Sequence, residues 1–411
     1  MNKLSNNKHI KVIQTRKYKD VNLYLRFSIE NKPLIRQKIS LLCKLIGDVS
    51  KSYPSKAQMA KARDMLYGIS LNATYKVRAN IITLCLRYSF INPKFVDAST
   101  LDYASFINET LYNSIINEKT LDEAKRNLKD AILRRNDKPA SKANQRVIEI
   151  ISKDNPSFSI YSEDLDYINS IDKIELSDLI KTYKYIINKA QLNLYLCGDV
   201  NDSDINILTD YSFENRKEVE LKLRKLKCIE KKTISNTKDI SQSYLAVVYA
   251  TPFNKSHKDF FAWFLGNAFL GITPTSLLFS EVREKMSLCY SIQAIDYKIE
   301  GLVKIVTSID GKNKNKAIKA IENQVERIKN IDYDLSKFEI TKTLLCNTLL
   351  GTYDDLDGLI DYYYESYISN FNYSIEEYCQ NIMKVTPFDI SRVFKEYKHY
   401  FNYILIGNKH E

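Results

Sequence analysis

Residues 271–292 read GITPTSLLFSEVREKMSLCYSI and are the most informative stretch of the 411-residue chain. They follow residues 257–270, which predict a helix, and lead into residues 290–296, whose alternation of apolar and polar side chains predicts a strand. Arg283 is then expected at a helix end and Tyr290 at a strand start. Their guanidinium and phenol groups are good donors to a carbonyl oxygen that gains negative charge. The alternative is an ordinary surface charge and a half-buried strand residue.

This stretch resembles the C-terminal-domain signature of the pitrilysin/insulinase/mitochondrial-processing-peptidase-like metallopeptidases. The resemblance is carried by Leu-Phe at 278–279, Val-Arg-Glu-Lys at 282–285 and Tyr-Ser at 290–291. The order of predicted elements is also similar over almost the whole chain. The resemblance implies that Arg283 and Tyr290 reach the zinc site of the opposite domain, where they bind the substrate backbone and stabilise the oxyanion.

The chain departs from this family pattern in two places. The usual glycine pair before the serines is Ile272 and Thr273 here, and the family's Gly-Leu-Ala-Tyr is Ser-Leu-Cys-Tyr at 287–290. Side chains restrict backbone conformations that glycine adopts freely. We therefore expect a turn that is stiffer or differently shaped than in the family.

Both halves of the chain show the same order of predicted strands and helices. In the first half, the predicted strands are 21–29, 71–77, 82–90 and 192–197, and the predicted helices are 33–49, 55–68, 100–117, 120–151 with a break near Pro139, and 176–188. In the second half, the predicted strands are 244–249, 290–296, 302–309 and 400–406, and the predicted helices are 257–270, 317–328, several within 335–382, and 388–397.

The closing helix–strand segments of the two halves are also similar. Asp178 and Asp389 occupy matching helix positions, and Gly198 and Gly407 end the matching strands, at offsets of about half the chain. Internal duplication explains this better than a chance likeness of amphipathic segments. The predicted fold class is α+β, with two tandem homologous domains that each pack helices on one face of an antiparallel sheet. The expected domains are 1–214 and 240–411, joined by a charged linker at 215–239.

The chain lacks the zinc motif of the active family members. They carry His-x-x-Glu-His on the first helix, where two histidines and a distant Glu hold zinc and the intervening Glu is the base. The four histidines of this chain have no ligand spacing, and they are His9, His257, His399 and His410. Where the motif belongs, residues 41–48 read LLCKLIGD. Cys43 and Asp48 could bind a metal in principle, but a cysteine on an apolar helix face is usually a core residue.

Composition narrows the possible partners and location. The net charge is +11, but lysines alternate with acidic residues, as in 217–232, so nucleic-acid binding is not favoured.

No apolar run reaches about 18 residues, so no membrane span is expected. The polar N-terminus does not resemble a signal peptide. Seven scattered cysteines without a Cys-x-x-Cys motif indicate reduced thiols and a cytoplasmic protein.

These observations favour a non-catalytic subunit of a bacterial heterodimeric zinc metallopeptidase that processes peptides. The chain would have no catalytic residue, metal ligand or cofactor of its own, and it would supply Arg283 and Tyr290. Zinc is expected in its partner, a homologous subunit with the His-x-x-Glu-His motif. The first alternative is a stand-alone inactive peptide-binding or scaffold protein of the same fold. A basic nucleic-acid-associated protein is the third hypothesis.

Overall fold

The computed structural model describes residues 2–4, 7–223 and 226–408. The chain divides into two compact units, each formed by two segments of the chain. The first unit contains Met1–Arg134 and Glu163–Leu221, and the second contains Arg135–Ser162 and Lys222–Glu411. Residues 135–162 therefore belong to the second unit, although they precede the linker expected at 215–239.

The first unit is built on a six-stranded sheet. Its strands are β1 (Asn2–Leu4), β2 (Ile10–Gln14), β3 (Asp20–Glu30), β4 (Ser70–Arg78), β5 (Ile81–Ile91) and β6 (Gln191–Gly198). The strand order is β1-β2-β6-β3-β5-β4, and every pair is antiparallel except β2 with β6. The accompanying helices are α1 (Ile35–Leu45), α2 (Lys56–Met65), α3 (Thr100–Tyr112), α4 (Glu118–Asn136), α6 (Leu165–Asp172), α7 (Leu176–Lys189) and α8 (Asp202–Leu208).

The apolar period of β3 places this strand at the centre of the first sheet. Val21, Leu23, Leu25 and Phe27 alternate along it and are all buried. Leu25 pairs with a leucine on each neighbouring strand, Leu86 of β5 and Leu194 of β6. Because successive side chains of a strand point to opposite faces, this period buries one complete apolar face.

The second unit is built on a five-stranded sheet. Its strands are β7 (Ile234–Lys238), β8 (Ser243–Ala250), β9 (Cys289–Tyr297), β10 (Leu302–Ile309) and β11 (Lys398–Gly407), in the order β7-β11-β8-β10-β9. Its helices are α5 (Pro139–Asp154), α9 (Phe260–Gly271), α10 (Lys314–Asn330), α11 (Leu335–Gly351), α12 (Leu356–Ser369), α13 (Ile375–Lys384) and α14 (Pro387–Lys395). The apolar helix α9 is buried along most of its length and is central to the core of this unit.

Five strands of the first sheet and the five strands of the second follow the same topology. The order β2-β6-β3-β5-β4 corresponds to β7-β11-β8-β10-β9, and each sheet contains one parallel pair, β2 with β6 and β7 with β11. The predicted α+β class with two similar domains is confirmed. The parallel pairs were not expected because β2 and β7 are short and lack a clear apolar alternation.

Helix α5 covers the face of the second sheet that is opposite α9. Its buried side chains, with those of the sheet and of the turn that follows α5, form an apolar cluster that includes Val147, Ile151, Phe158, Ala246, Val248, Leu302 and Tyr403. Polar contacts fix the end of the helix, because the Tyr400 hydroxyl donates to Asp154 Oδ2 at 2.8 Å and the Asn155 amide donates to the Tyr400 oxygen at 3.2 Å. This sheet is therefore covered on both faces.

The linker prediction can be tested by limited proteolysis. Lys217 N donates to Lys189 O in the first unit, at 2.8 Å, and Lys231 N donates to Tyr400 O in the second unit, at 2.8 Å. We therefore expect trypsin to cut the native chain first between these two anchors. The two fragments should separate under denaturing conditions but coelute on native gel filtration, because the first fragment contains the α5 segment that packs on the second sheet. A first cut elsewhere in the chain would contradict the prediction.

Candidate functional site

Residues 271–292 connect α9 to β9 through a wide helical turn. Leu278–Lys285 forms a π-helix, whose buried residues are Leu278, Ser280 and Val282. Gly271 lies where this turn meets the sheet. A Cβ atom there would stand 2.7 Å from Leu278 Cδ1, closer than real Cβ atoms come, and 3.0 Å from the backbone nitrogen of Ala294, which is a tight contact. Glycine permits this approach without a shift of the buried Leu278 side chain.

The two family departures occupy structurally informative positions. Ser287 has φ of 50°, in the left-handed region that favours glycine, which accounts physically for the glycine that the family has there. Thr273 is buried, and its backbone N donates to Ala268 O at 3.2 Å, so it extends the end of α9. Ile272 is 42% exposed. The turn is therefore held by side chains and hydrogen bonds in this chain.

The Arg283 guanidinium is anchored on one edge and one face. Its Nε donates to the Tyr290 carbonyl oxygen at 2.8 Å, and its Cζ lies 4.3 Å from the ring centroid of Phe279. Within the described parts of the chain, Arg283 forms no ion pair, so its Nη groups have no carboxylate partner. A charged donor that is held but not neutralised can bind an incoming acceptor.

A β-bulge presents the Tyr290 side chain to solvent. Cys289 pairs with Ile309 and Ile292 with Thr307, so Tyr290 and its neighbour face a single residue of β10. Such a bulge redirects side chains at the sheet edge. Tyr290 is 82% exposed, and its hydroxyl has no hydrogen-bond partner among the residues that the structure describes. Tyr290 is therefore not a packing residue.

Arg283 and Tyr290 line the same surface cleft of about 1220 Å³. The cleft lies within the second unit, at the ends of β8, β9, β10 and β11. Its other lining residues are mostly polar and are Ser241, Gln242, Glu284, Ser287, Leu288, Cys289, Ser308, Ile309, Asp310, Gly311, Lys312, Asn313, Ile406, Gly407 and Asn408. The sequence analysis predicted that Arg283 and Tyr290 share a site, but it did not identify the residues that form the other walls of this cleft. The polar residues that follow predicted strands, such as Asp310 and Asn408, were the available signal.

The titratable groups of the cleft suit binding better than covalent chemistry. Burial raises the pKa of the Cys289 thiol, so it is protonated at neutral pH and is a poor nucleophile. The hydrogen bond and charge of Lys312 lower the pKa of the Asp310 carboxyl, so this exposed pair is ionised and largely satisfies itself. The groups that remain available to bind a polar chain in the cleft are hydrogen-bond donors, chiefly Arg283 and Tyr290.

The first helix does not fit a zinc ion. Leu41, Leu42 and Leu45 of α1 are buried, and burial raises the pKa of the Cys43 thiol well above its ordinary value, which opposes metal binding as thiolate. Asp48 lies 3.6 Å from the Lys56 ammonium. Among residues 2–4, 7–223 and 226–408, no group of three or more His, Cys, Asp or Glu side chains could hold a metal.

The described histidines have local structural contacts. The His9 ring stacks on Phe213 with centroids 5.9 Å apart, His257 Nδ1 accepts from Asp259 N at 3.1 Å, and His399 Nε2 lies 3.0 Å from Asn402 Oδ1. His410 lies outside the described residues. None of the described three belongs to a cluster of potential metal ligands.

The isolated chain should contain no stoichiometric zinc and should cleave no peptide. The reason is the helix α1, which carries neither of the two histidines that the family's zinc site needs. Elemental analysis after dialysis, together with a fluorogenic peptide assay, checks this expectation. About one tightly bound zinc ion per chain, with hydrolysis that a chelator abolishes, would contradict it.

Comparison with known proteins agrees with this architecture. The family model "Peptidase M16 inactive domain" matches residues 173–345. The chain is 26% identical over 412 aligned residues to the "Probable inactive metalloprotease YmfF" of Bacillus subtilis (strain 168), covering 97% of this chain and 95% of that protein. These matches confirm the resemblance to M16-type metallopeptidase-like proteins that the sequence predicted.

Solved structures share the fold over nearly the full length. A conserved protein from Enterococcus faecalis V583 superposes with a TM-score of 0.86 at 22% identity, covering 98% of this chain and 97% of that one. A peptidase M16 inactive domain from Pseudomonas fluorescens has a TM-score of 0.78 at 14% identity, covering 97% and 96% of the two chains. No helix in the described parts of the chain is long and apolar enough to cross a membrane.

Proposed function

We propose that this chain is the non-catalytic subunit of a two-subunit, peptide-processing zinc metallopeptidase. Its partner is a homologous chain with His-x-x-Glu-His, which holds the zinc ion and activates the water. This chain contributes Arg283 and Tyr290 and one half of the chamber that encloses the peptide. Both subunits are expected in the bacterial cytoplasm.

The observation that supports the proposal is that Arg283 and Tyr290 share a cleft and keep hydrogen-bond donors without a partner. Both side chains line one cleft, and neither the Arg283 Nη groups nor the Tyr290 hydroxyl has a partner there among the described residues. A buried or ion-paired arginine would have indicated a structural role. Donors that stay free in the single chain are suited to a carbonyl oxygen that gains negative charge, as in peptide hydrolysis.

The geometry of β9 supports an extended peptide as the bound species. This strand is the last in the order β7-β11-β8-β10-β9, so one edge is not paired with another strand of the sheet. An extended peptide can add main-chain hydrogen bonds to such an edge. The bulge at Tyr290 would then bring the phenol beside the carbonyl groups of that peptide.

A stand-alone peptide-binding protein is the second candidate. The observation in its favour is that every lining residue of the cleft comes from one unit of this chain. A peptide could therefore bind there without a partner subunit. In that case Arg283 and Tyr290 would contribute to affinity but not to hydrolysis.

Coexpression with a homologue that carries His-x-x-Glu-His distinguishes the two candidates. The proposed function predicts a stable complex that cleaves peptides faster than the zinc-bearing chain alone. The matched control is the same complex with the partner's motif Glu replaced by Gln, which should bind peptide without cleaving it. Absence of a complex, combined with peptide binding by the isolated chain, would favour the stand-alone protein.

A further inference from the structure

The side chain of Phe279 packs against Arg283 and not within the core. Its ring centroid lies 4.3 Å from the guanidinium carbon. The adjacent residues Leu278 and Ser280 are buried, but Phe279 is only half-buried and is not part of the apolar core cluster of the second unit. A large apolar side chain in this position is therefore explained better by the guanidinium than by core packing.

The spacing of four residues within a helical turn brings these two side chains together. Met286 N donates to Glu281 O at 3.0 Å, a bond that spans five residues. Residues four apart lie on nearly the same side of such a turn, as they do on an α-helix. Phe279 consequently lies beneath Arg283, while Leu278 and Val282 point into the core.

Two contacts together restrict the guanidinium. The Phe279 ring covers one face, and the Tyr290 carbonyl oxygen accepts from Nε at 2.8 Å. An arginine that is free to rotate must lose rotamer freedom when it binds. With the face and the Nε edge already held, the two Nη groups are the donors left for a ligand in the cleft.

We propose that Phe279 is a positioning residue that orients Arg283 for its bound peptide. The proposal rests on the proposed function, because it assigns Phe279 a role in the same site. Phe279 touches neither substrate nor zinc in this scheme, and it acts only through the guanidinium. An aromatic ring is required, since the quadrupole of its face attracts the cation and an aliphatic side chain of similar size has none.

The first experiment uses the full chain without a partner. Phe279→Leu, Phe279→Tyr and the exposed control Phe388→Leu are treated with phenylglyoxal, and modification of Arg283 is followed by peptide mass spectrometry. We expect Phe279→Leu to raise the rate at Arg283 several-fold, with Phe279→Tyr and Phe388→Leu at the wild-type rate and all thermal midpoints nearly unchanged. A wild-type rate in Phe279→Leu would overturn the proposal.

The second experiment uses the assembled pair. Phe279→Leu should lower kcat by about tenfold through misplacement of the donor, with KM nearly unchanged, and Phe279→Tyr should retain activity. If Arg283→Ala lowers turnover but Phe279→Leu does not, the positioning role is wrong and the proposed function stands. If neither variant changes turnover, the active-site role of Arg283 is wrong and the role of Phe279 fails with it.

Discussion

Arg283→Ala and Tyr290→Phe should each lower kcat of the assembled pair by about 10²–10³-fold, as expected for the loss of one oxyanion-type donor. The loss should appear in kcat more than in KM, because these contacts strengthen as negative charge develops on the carbonyl oxygen. Stability should change little, since Tyr290 is 82% exposed and Arg283 forms no ion pair within the described residues. Steady-state kinetics of the purified pair measure kcat and KM, and thermal melts of each variant measure stability.

The matched control is Arg16→Ala, which removes an arginine whose side chain is 89% exposed and lies outside the cleft. It should leave kcat, KM and complex formation unchanged. Full activity of a pair that carries both Arg283→Ala and Tyr290→Phe would rule out the active-site role of these residues. The family resemblance and the fold would not be affected by that result.

Trp263→Ala should destabilise the second unit by about 3–5 kcal/mol, the usual cost of truncating a large buried aromatic residue. Trp263 is fully buried in α9, within the core of this unit, and its ring lies 6.1 Å from that of Phe260. At roughly 2–4 °C per kcal/mol for a unit of this size, the melting temperature of the second unit should fall by about 6–20 °C.

Calorimetry and far-ultraviolet circular dichroism suit this experiment, because Trp263 is the only tryptophan in the chain and its variant has no indole fluorescence. Phe388→Ala is the control, since Phe388 is 76% exposed and its truncation should cost no more than about 0.5 kcal/mol. An unchanged transition in Trp263→Ala would show that α9 is not the centre of the core. Phe260→Leu, which keeps an apolar side chain, should have a smaller effect than Trp263→Ala.

Local pattern predicted most of the elements because their side-chain period is visible within a few residues. The alternation from Val21 to Ile29 gave β3, and Ser55 begins α2 by accepting a hydrogen bond from Gln58 N at 3.2 Å, as its type and place predicted. The short strands β2 and β7 and the short helices α6 and α8 were not predicted. Their segments carry too few residues for a period to stand out.

The candidate site was predictable only in part. Arg283 and Tyr290 are seven positions apart, and a signature of about twenty residues identified them. Phe279 belongs to the same signature and lies four positions before Arg283, a spacing at which helical side chains meet, but the sequence analysis did not pair the two. The walls formed by Asp310 and Gly407 come from the ends of other strands, so only strand pairing brings them to this cleft.

The sequence by itself determined the family resemblance, the α+β class, the repeated order of elements and the lack of paired histidines on the first helix. These follow from residue identity and from periods of two or 3.6 residues, which are local properties of the chain. The tertiary structure decided that α5 packs on the second sheet and that a bulge exposes Tyr290. Each of these depends on which surfaces meet and in which register, and the free energy of such contacts between distant segments is not encoded in any local pattern.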